Sequence, residues 1–180
     1  MLQPNNSLLF IIDIQEKLVK AANKGEQIAN NMAKVAKAAQ LLDITTLVTE
    51  QYPKGLGETT AIIKQNLYEG AKLFEKSAFS ALEEENIADE IAKHKGKKII
   101  LGGIETHICV YQTALDLLNK GYEVYILSDC TSSRNIFEYE TGLELLTQFG
   151  AKITCTEIVL FEWLKTSKNP KFKEVQQLIK

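Results

Sequence analysis

Apolar residues along this chain follow two alternating rhythms. Leu8-Leu9-Phe10-Ile11-Ile12 is a continuous apolar run, the pattern of a strand buried on both faces of a parallel sheet. From Glu26 to Leu42 the positions Ile28, Met32, Val35, Ala39 and Leu42 recur at helical spacing. Thr45-Thr46-Leu47-Val48-Thr49 is β-branched and predicts a second strand, followed by a Pro/Gly loop over 50–57. Further on, a short strand at 72–75, a helix over 83–93 with Ile87 and Ile91 inward, and a strand at 98–101 are predicted. An amphipathic helix over 106–120 and a strand at 123–127 come next. A helix over 135–149 then carries Ile136, Tyr139, Leu143 and Leu146 on one face. A last strand at 152–155 and closing helices at 157–165 and 171–180 complete the reading.

Strands alternating with helices imply βαβ units joined by right-handed crossovers. The predicted fold is α/β: a three-layer, doubly wound, mostly parallel six-stranded sheet with helices on both faces. A length of 180 residues suits one domain spanning 1–180. The formal net charge of −2 gives no electrostatic footprint for nucleic acid or a membrane surface, so neither partner is expected. The lysine-rich stretch at Lys93, Lys95, Lys97 and Lys98 reads as a solvated connection.

Cys109, Cys130 and Cys155 are an odd set without C-x-x-C spacing, unsuited to a disulfide framework or a zinc site. The first apolar run stops at Asp13, too short for a signal peptide or a membrane span, and a reducing, cytoplasmic setting is expected.

Doubly wound sheets place their chemistry beyond the carboxyl ends of the strands. Asp13 ends the first predicted strand and Glu50 the second; Lys76 follows the third, Cys109 the fourth, and Asp129 ends the fifth. All fall on one edge. Cys109 follows the strand 99–101, the pair Gly102-Gly103 and a tight turn, inside the first turn of the predicted helix. Helix N-termini stabilise thiolates, although a cysteine there can equally be a small core hydrophobe. A carboxylate closing an apolar strand, as Asp13 does, either caps a helix or needs a charged partner. Lys76 is the cation available for that partnership, or else a solvated loop lysine. Together Asp13, Lys76 and Cys109 could supply a proton carrier, a charge stabiliser and a nucleophile. Cys130 and Cys155 read as packing residues, and His94 as a surface residue.

In combination these segments resemble the isochorismatase-like cysteine hydrolases, which include nicotinamidases and N-carbamoylsarcosine amidases. The matching pieces are Phe10-Ile11-Ile12-Asp13-Ile14-Gln15, Phe74-Glu75-Lys76-Ser77-Ala78-Phe79-Ser80, Gly103-Ile104-Glu105-Thr106-His107-Ile108-Cys109-Val110 and Asp129-Cys130-Thr131-Ser132-Ser133-Arg134. The loop 50–57 and the tail 169–174 look most like the isochorismatase-domain-containing subgroup.

The resemblance implies a cysteine hydrolase cleaving a C–N bond of a small amide-type molecule through a thioester. Asp13 would be the general acid and base, Lys76 the charge stabiliser and Cys109 the nucleophile. It further implies a cis peptide at Ile104–Glu105 and an oxyanion hole built from the N–H groups of Glu105 and Cys109. Gln15, Gln51, Tyr52 and Phe79 are substrate-pocket candidates. A homo-oligomer is implied as well, with Phe161 and Trp163 near a possible interface. Nicotinamidases carry an Asp/His/His metal site after the second strand. The only histidines here, His94 and His107, lie elsewhere, so no metal and no cofactor are expected. Isochorismatase itself cleaves a vinyl ether without the cysteine, and the presence of Cys109 argues against that reaction. The competing reading is a non-catalytic scaffold or interaction protein that kept the fold.

Overall fold

A computed structural model describes residues 1–180. β1 (Ser7–Ile12) buries every side chain. Leu8, Phe10 and Ile12 enter one core while Leu9 and Ile11 enter the other, so there is no polar face to alternate with the apolar one. α1 (Glu16–Ala21) and α2 (Gly25–Leu41) lead to β2 (Thr45–Gln51), and the single turns α3 (Pro53–Leu56) and α4 (Ala61–Lys64) precede β3 (Lys72–Lys76). α5 (Glu85–Ala92) is followed by β4 (Lys98–Ile104) and a π-helical turn (Thr106–Val110) that runs into α6 (Tyr111–Asn119). Then come β5 (Val124–Ser132), α7 (Ile136–Gln148), β6 (Lys152–Thr154), α8 (Thr156–Leu164) and α9 (Phe172–Gln177).

The sheet has six strands in the order β3-β2-β1-β4-β5-β6, and each neighbouring pair is parallel. Side chains of α2, α8 and α9 pack with Leu9, Ile11, Val48 and Ile100 on one face. Those of α5, α6 and α7 pack with Leu8, Phe10, Leu47 and Leu101 on the other. Trp163 is buried in the first core and donates its indole N–H to Ser7 Oγ at 3.0 Å, so its one polar atom is satisfied. Winding starts at β1, proceeds outward through β2 and β3, then returns to β4 on the other side. The strand order therefore reverses between β1 and β4. Asp13 follows β1 and the Cys109 turn follows β4, so both stand at that switch point.

Several sequence expectations change here. The pair Gly102-Gly103 lies within β4 and does not begin the turn. β5 continues well past Leu127, because its register against β4 jumps from Leu101↔Ile126 to Gly103↔Thr131. β4 advances two residues while β5 advances five, and the extra length bulges out. Glycine at 102 makes room for it: a Cβ there would lie 2.8 Å from Cys130 O and 2.6 Å from Met32 Cε. Asp129 therefore lies within β5 and does not end it. Its carboxylate accepts the Thr156 N–H at 2.9 Å and so caps α8. The turns α1, α3 and α4 were not predicted, since four to six residues are too few for a period of 3.6 to register.

At Gly103 the backbone of β4 runs close against β1. A Cβ there would sit 2.1 Å from Ile12 O, a backbone atom that cannot rotate away. Gly103→Ala is expected to destabilise the fold by at least about 2 kcal/mol, read from the midpoint of urea unfolding. An unchanged midpoint would show that the two strands separate freely.

Candidate active site

The site begins with a buried ion pair. Asp13 Oδ2 lies 2.8 Å from Lys76 Nζ, and neither side chain has any solvent exposure. Asp13 leaves β1 with a left-handed backbone (φ 52°), which directs the carboxylate across the strand ends. Its other oxygen, Oδ1, accepts the Thr49 hydroxyl at 2.8 Å. Lys76 ends β3 and donates to Gln51 Oε1 at 2.6 Å and to the carbonyls of Ala78 and Phe79 at 3.1 Å each. The loop carrying those carbonyls is held by Glu84, which accepts from the N–H groups of Ser77 and Ala78 at 2.7 and 3.0 Å. Those two N–H groups hold the Glu84 carboxyl below the usual carboxylate range.

Cys109 lies in the π turn after β4, 6% exposed, near enough to Asp13 and Lys76 that both charges act on its thiol. The peptide between Ile104 and Glu105 is cis. Ile108 and Val110 both donate to Glu105 O at 3.2 Å, which closes the wide turn. α7 lies directly over this turn at Gly142, where a Cβ would be 3.3 Å from His107 N.

The electrostatics differ from the sequence expectation in one respect. Burial, then the Asp13 charge, push the Cys109 thiol up to about 12, against the opposing pull of Lys76. Burial and the Asp13 charge thus oppose the thiolate that a helix N-terminus would favour. Burial also raises Asp13 above its ordinary value, opposed mainly by Lys76. Burial therefore raises the proton affinity of both the carboxylate and the thiol, while Lys76 opposes the rise at each.

Gln15 and Gln51 are engaged with neighbouring residues of the protein. Gln15 is fully buried, donates to the carbonyls of Gln51 and Gly57 at 3.0 and 2.6 Å, and accepts the Gln51 N–H at 2.8 Å. It staples the loop after β2. Gln51 orients Lys76 and donates to Ser77 O at 2.8 Å. Both amides are used up on the protein. Tyr52 and Phe79 remain open, at 60% and 55% exposure, and Tyr52 borders a cleft of about 230 Å³ that also includes Lys76 and Ser77. Thr49 and Glu84 had no sequence signal, because a threonine in a strand and a glutamate before a helix are ordinary there. Cys130 is fully buried as expected, whereas Cys155 is only half-buried at the start of α8. His94 is partly buried and lies 3.2 Å from Glu90. Glu105, His107 and Glu138 bring potential ligand atoms within 4.8 Å of one another, but the Glu105 carboxylate is already held by Arg134 at 2.8 Å.

A doubly wound α/β domain with Cys, Asp and Lys converging at its switch point belongs to a recognisable class. Residues 7–158 match the model of the isochorismatase domain, and the chain belongs to the isochorismatase family, whose members are hydrolases. It is 40% identical to isochorismatase family protein 1A of Dictyostelium discoideum, over 98% of this chain and 87% of that one. With isochorismatase domain-containing protein 2 of Xenopus laevis it shares 39% identity, over 97% and 83% of the two chains. Among solved structures, the MAR1 ribonuclease of Caenorhabditis elegans superposes with a TM-score of 0.94 at 39% identity, covering 99% of this chain and 91% of that one.

Two outcomes test the electrostatics. Alkylation of Cys109 by iodoacetamide is expected to climb about tenfold per pH unit from 7 to 9 with no plateau near the ordinary thiol range. Asp13→Asn removes a charge that opposes thiolate, and is expected to speed alkylation at pH 8; a plateau near pH 8.5, or slower labelling of the variant, would contradict this balance. Removing one partner of the buried pair strands the other charge, so Lys76→Met should cost about 3–5 kcal/mol. Adding Asp13→Asn should restore most of it in the same urea titration; additive losses would mean that the two charges are uncoupled.

Proposed function

We propose that this protein is a cysteine hydrolase that cleaves a C–N bond of a small, amide-type molecule without a metal or other cofactor. The observation that carries the reading is the convergence of the Cys109 thiol, the Asp13 carboxylate and the Lys76 ammonium from three separate strand ends. Asp13 takes the thiol proton as Cys109 Sγ attacks the carbonyl carbon, and Lys76 offsets the negative charge that develops. The N–H groups of Glu105 and Cys109 stabilise the oxyanion. As the tetrahedral adduct collapses, the C–N bond breaks and Asp13 returns the proton to the departing amine. Water, deprotonated by Asp13, then attacks the thioester; the acid leaves and Cys109 regains its proton.

A thiol held near 12 suits this order of events. The proton moves only when a carbonyl is present to accept the sulfur's electrons, which limits side reactions of an idle thiolate. Tyr52 and Phe79 are the remaining candidates for contact with substrate. Three free cysteines fit a reducing compartment, and no helix is long and apolar enough to cross a membrane. Exposed Phe137, Phe149 and Phe161 suit contact between copies in a homo-oligomer.

Ammonia release from a panel of small amides and ureides tests the reading. The wild type is expected to hydrolyse at least one compound, Cys109→Ala none, and Asp13→Asn about 10²–10⁴-fold more slowly. Equal activity of the wild type and Cys109→Ala on every compound would overturn the chemistry. Because one relative is named a ribonuclease, the panel includes RNA; RNA cleavage that survives Cys109→Ala would replace the amidase reading.

A further inference from the structure

The segment Thr131–Arg134, where β5 ends, has no part in the chemistry just described, yet it touches the cysteine turn at every residue but Ser132. Thr131 Oγ1 donates to Gly103 O at 2.8 Å and pairs with Thr106 Oγ1 at 2.9 Å. Ser133 Oγ is 2.9 Å from His107 Nδ1. Arg134 places Nε 2.8 Å from Glu105 Oε1, and its backbone N–H reaches Glu105 Oε2 at 3.4 Å. The segment is itself anchored from behind, where Ser132 Oγ donates to Asn23 O at 2.6 Å and Asn23 N to Ser133 O at 2.9 Å. Glu105 is buried at 7% exposure, so its carboxylate depends on these partners. Around it stand His107 at 3.6 Å and, beyond that ring, Glu138 at 3.7 Å from His107 Nε2.

Arg134 is the only arginine in the chain. Every other cationic side chain apart from the two histidines is a lysine. A guanidinium fixes the direction of a carboxylate as a compact ammonium does not. We infer that Arg134 is a positioning residue: by holding the Glu105 side chain, it fixes the peptide N–H of Glu105 and the turn that presents Cys109. The inference rests on the hydrolase reading above. It adds a part of the machinery that does not touch substrate.

The test uses the full-length protein and needs no knowledge of the natural substrate. A small aldehyde such as butyraldehyde adds the Cys109 thiol across its C=O; the S–C bond forms, the C=O π bond opens, and the thiol proton ends on oxygen. The resulting hydroxyl occupies the oxyanion position, and the adduct protects Cys109 from iodoacetamide. Arg134→Ala is expected to raise the protective aldehyde concentration about tenfold or more. Arg134→Lys should fall between, and millimolar guanidinium should partly rescue Arg134→Ala, since the side chain is 59% exposed and the site is reachable. On any compound that the wild type hydrolyses, kcat should fall with KM little changed. A KM effect alone, equal protection in Arg134→Ala and the wild type, or a loss that neither lysine nor guanidinium repairs would overturn the assignment. Protection of the wild type without hydrolysis of any compound would defeat the hydrolase reading and leave the role of Arg134 standing. A wild type that no aldehyde protects defeats both.

Discussion

The Asp13–Lys76 ion pair is the constraint to which the rest of the site conforms. Two charges without solvent exposure are costly unless geometry and hydrogen bonds compensate for lost water. The protein supplies much of that compensation, although Asp13 Oδ2 has the Lys76 charge beside it and no hydrogen bond of its own. Thr49 satisfies the second carboxylate oxygen, while Gln51 and two carbonyls surround the ammonium. Each of these groups needs its own support. Gln15 pins the loop beyond Gln51, and Glu84 pins the loop that offers the carbonyls. The neighbourhood of one ion pair therefore reaches from β1 across β2 to the far edge strand β3.

That requirement explains which polar residues are free to meet a substrate. A reading from sequence treats any glutamine or tyrosine near the strand ends as a possible contact. Once the pair is buried, Gln15 and Gln51 are spent on holding it, and only side chains beyond the ring of support stay open. Tyr52 and Phe79 are of that kind. Both present exposed aromatic surface beside the loops that hold the pair.

Much of the architecture was legible because two-sided burial leaves a plain mark. Leu8 to Ile12 could hardly be anything but a central parallel strand, and the helices packed on the sheet carry their period openly. Asp13 and Cys109 could be singled out because each follows such a strand, and Lys76 because it closes the short edge strand β3. The β5 bulge could not be read, since it depends on Gly102 meeting Cys130 across strands, a contact between positions 28 residues apart. Asp129 was misplaced for the same reason. Thr49 was invisible because its role depends on lying opposite Ile12 in the parallel register, which no local pattern records. The thiol's protonation state was also beyond a local reading, as it follows from burial and from a carboxylate 96 positions away in the chain.

Cys109 and Cys130 show why burial by itself does not identify a nucleophile. Both thiols are pushed upward chiefly by desolvation, Cys130 the more completely buried of the two. The neighbours of Cys130 are the Thr156 hydroxyl at 3.2 Å and an Asp129 carboxylate already occupied in capping α8. No cation faces it in that set, so deprotonation would leave an uncompensated charge in the core. Cys109 is somewhat less buried, and it faces the Asp13 carboxylate and the Lys76 ammonium, whose charges both act on its thiol. The two thiols differ in that only Cys109 faces both a carboxylate and an ammonium. The switch point of the sheet brings them to one sulfur and not to the other.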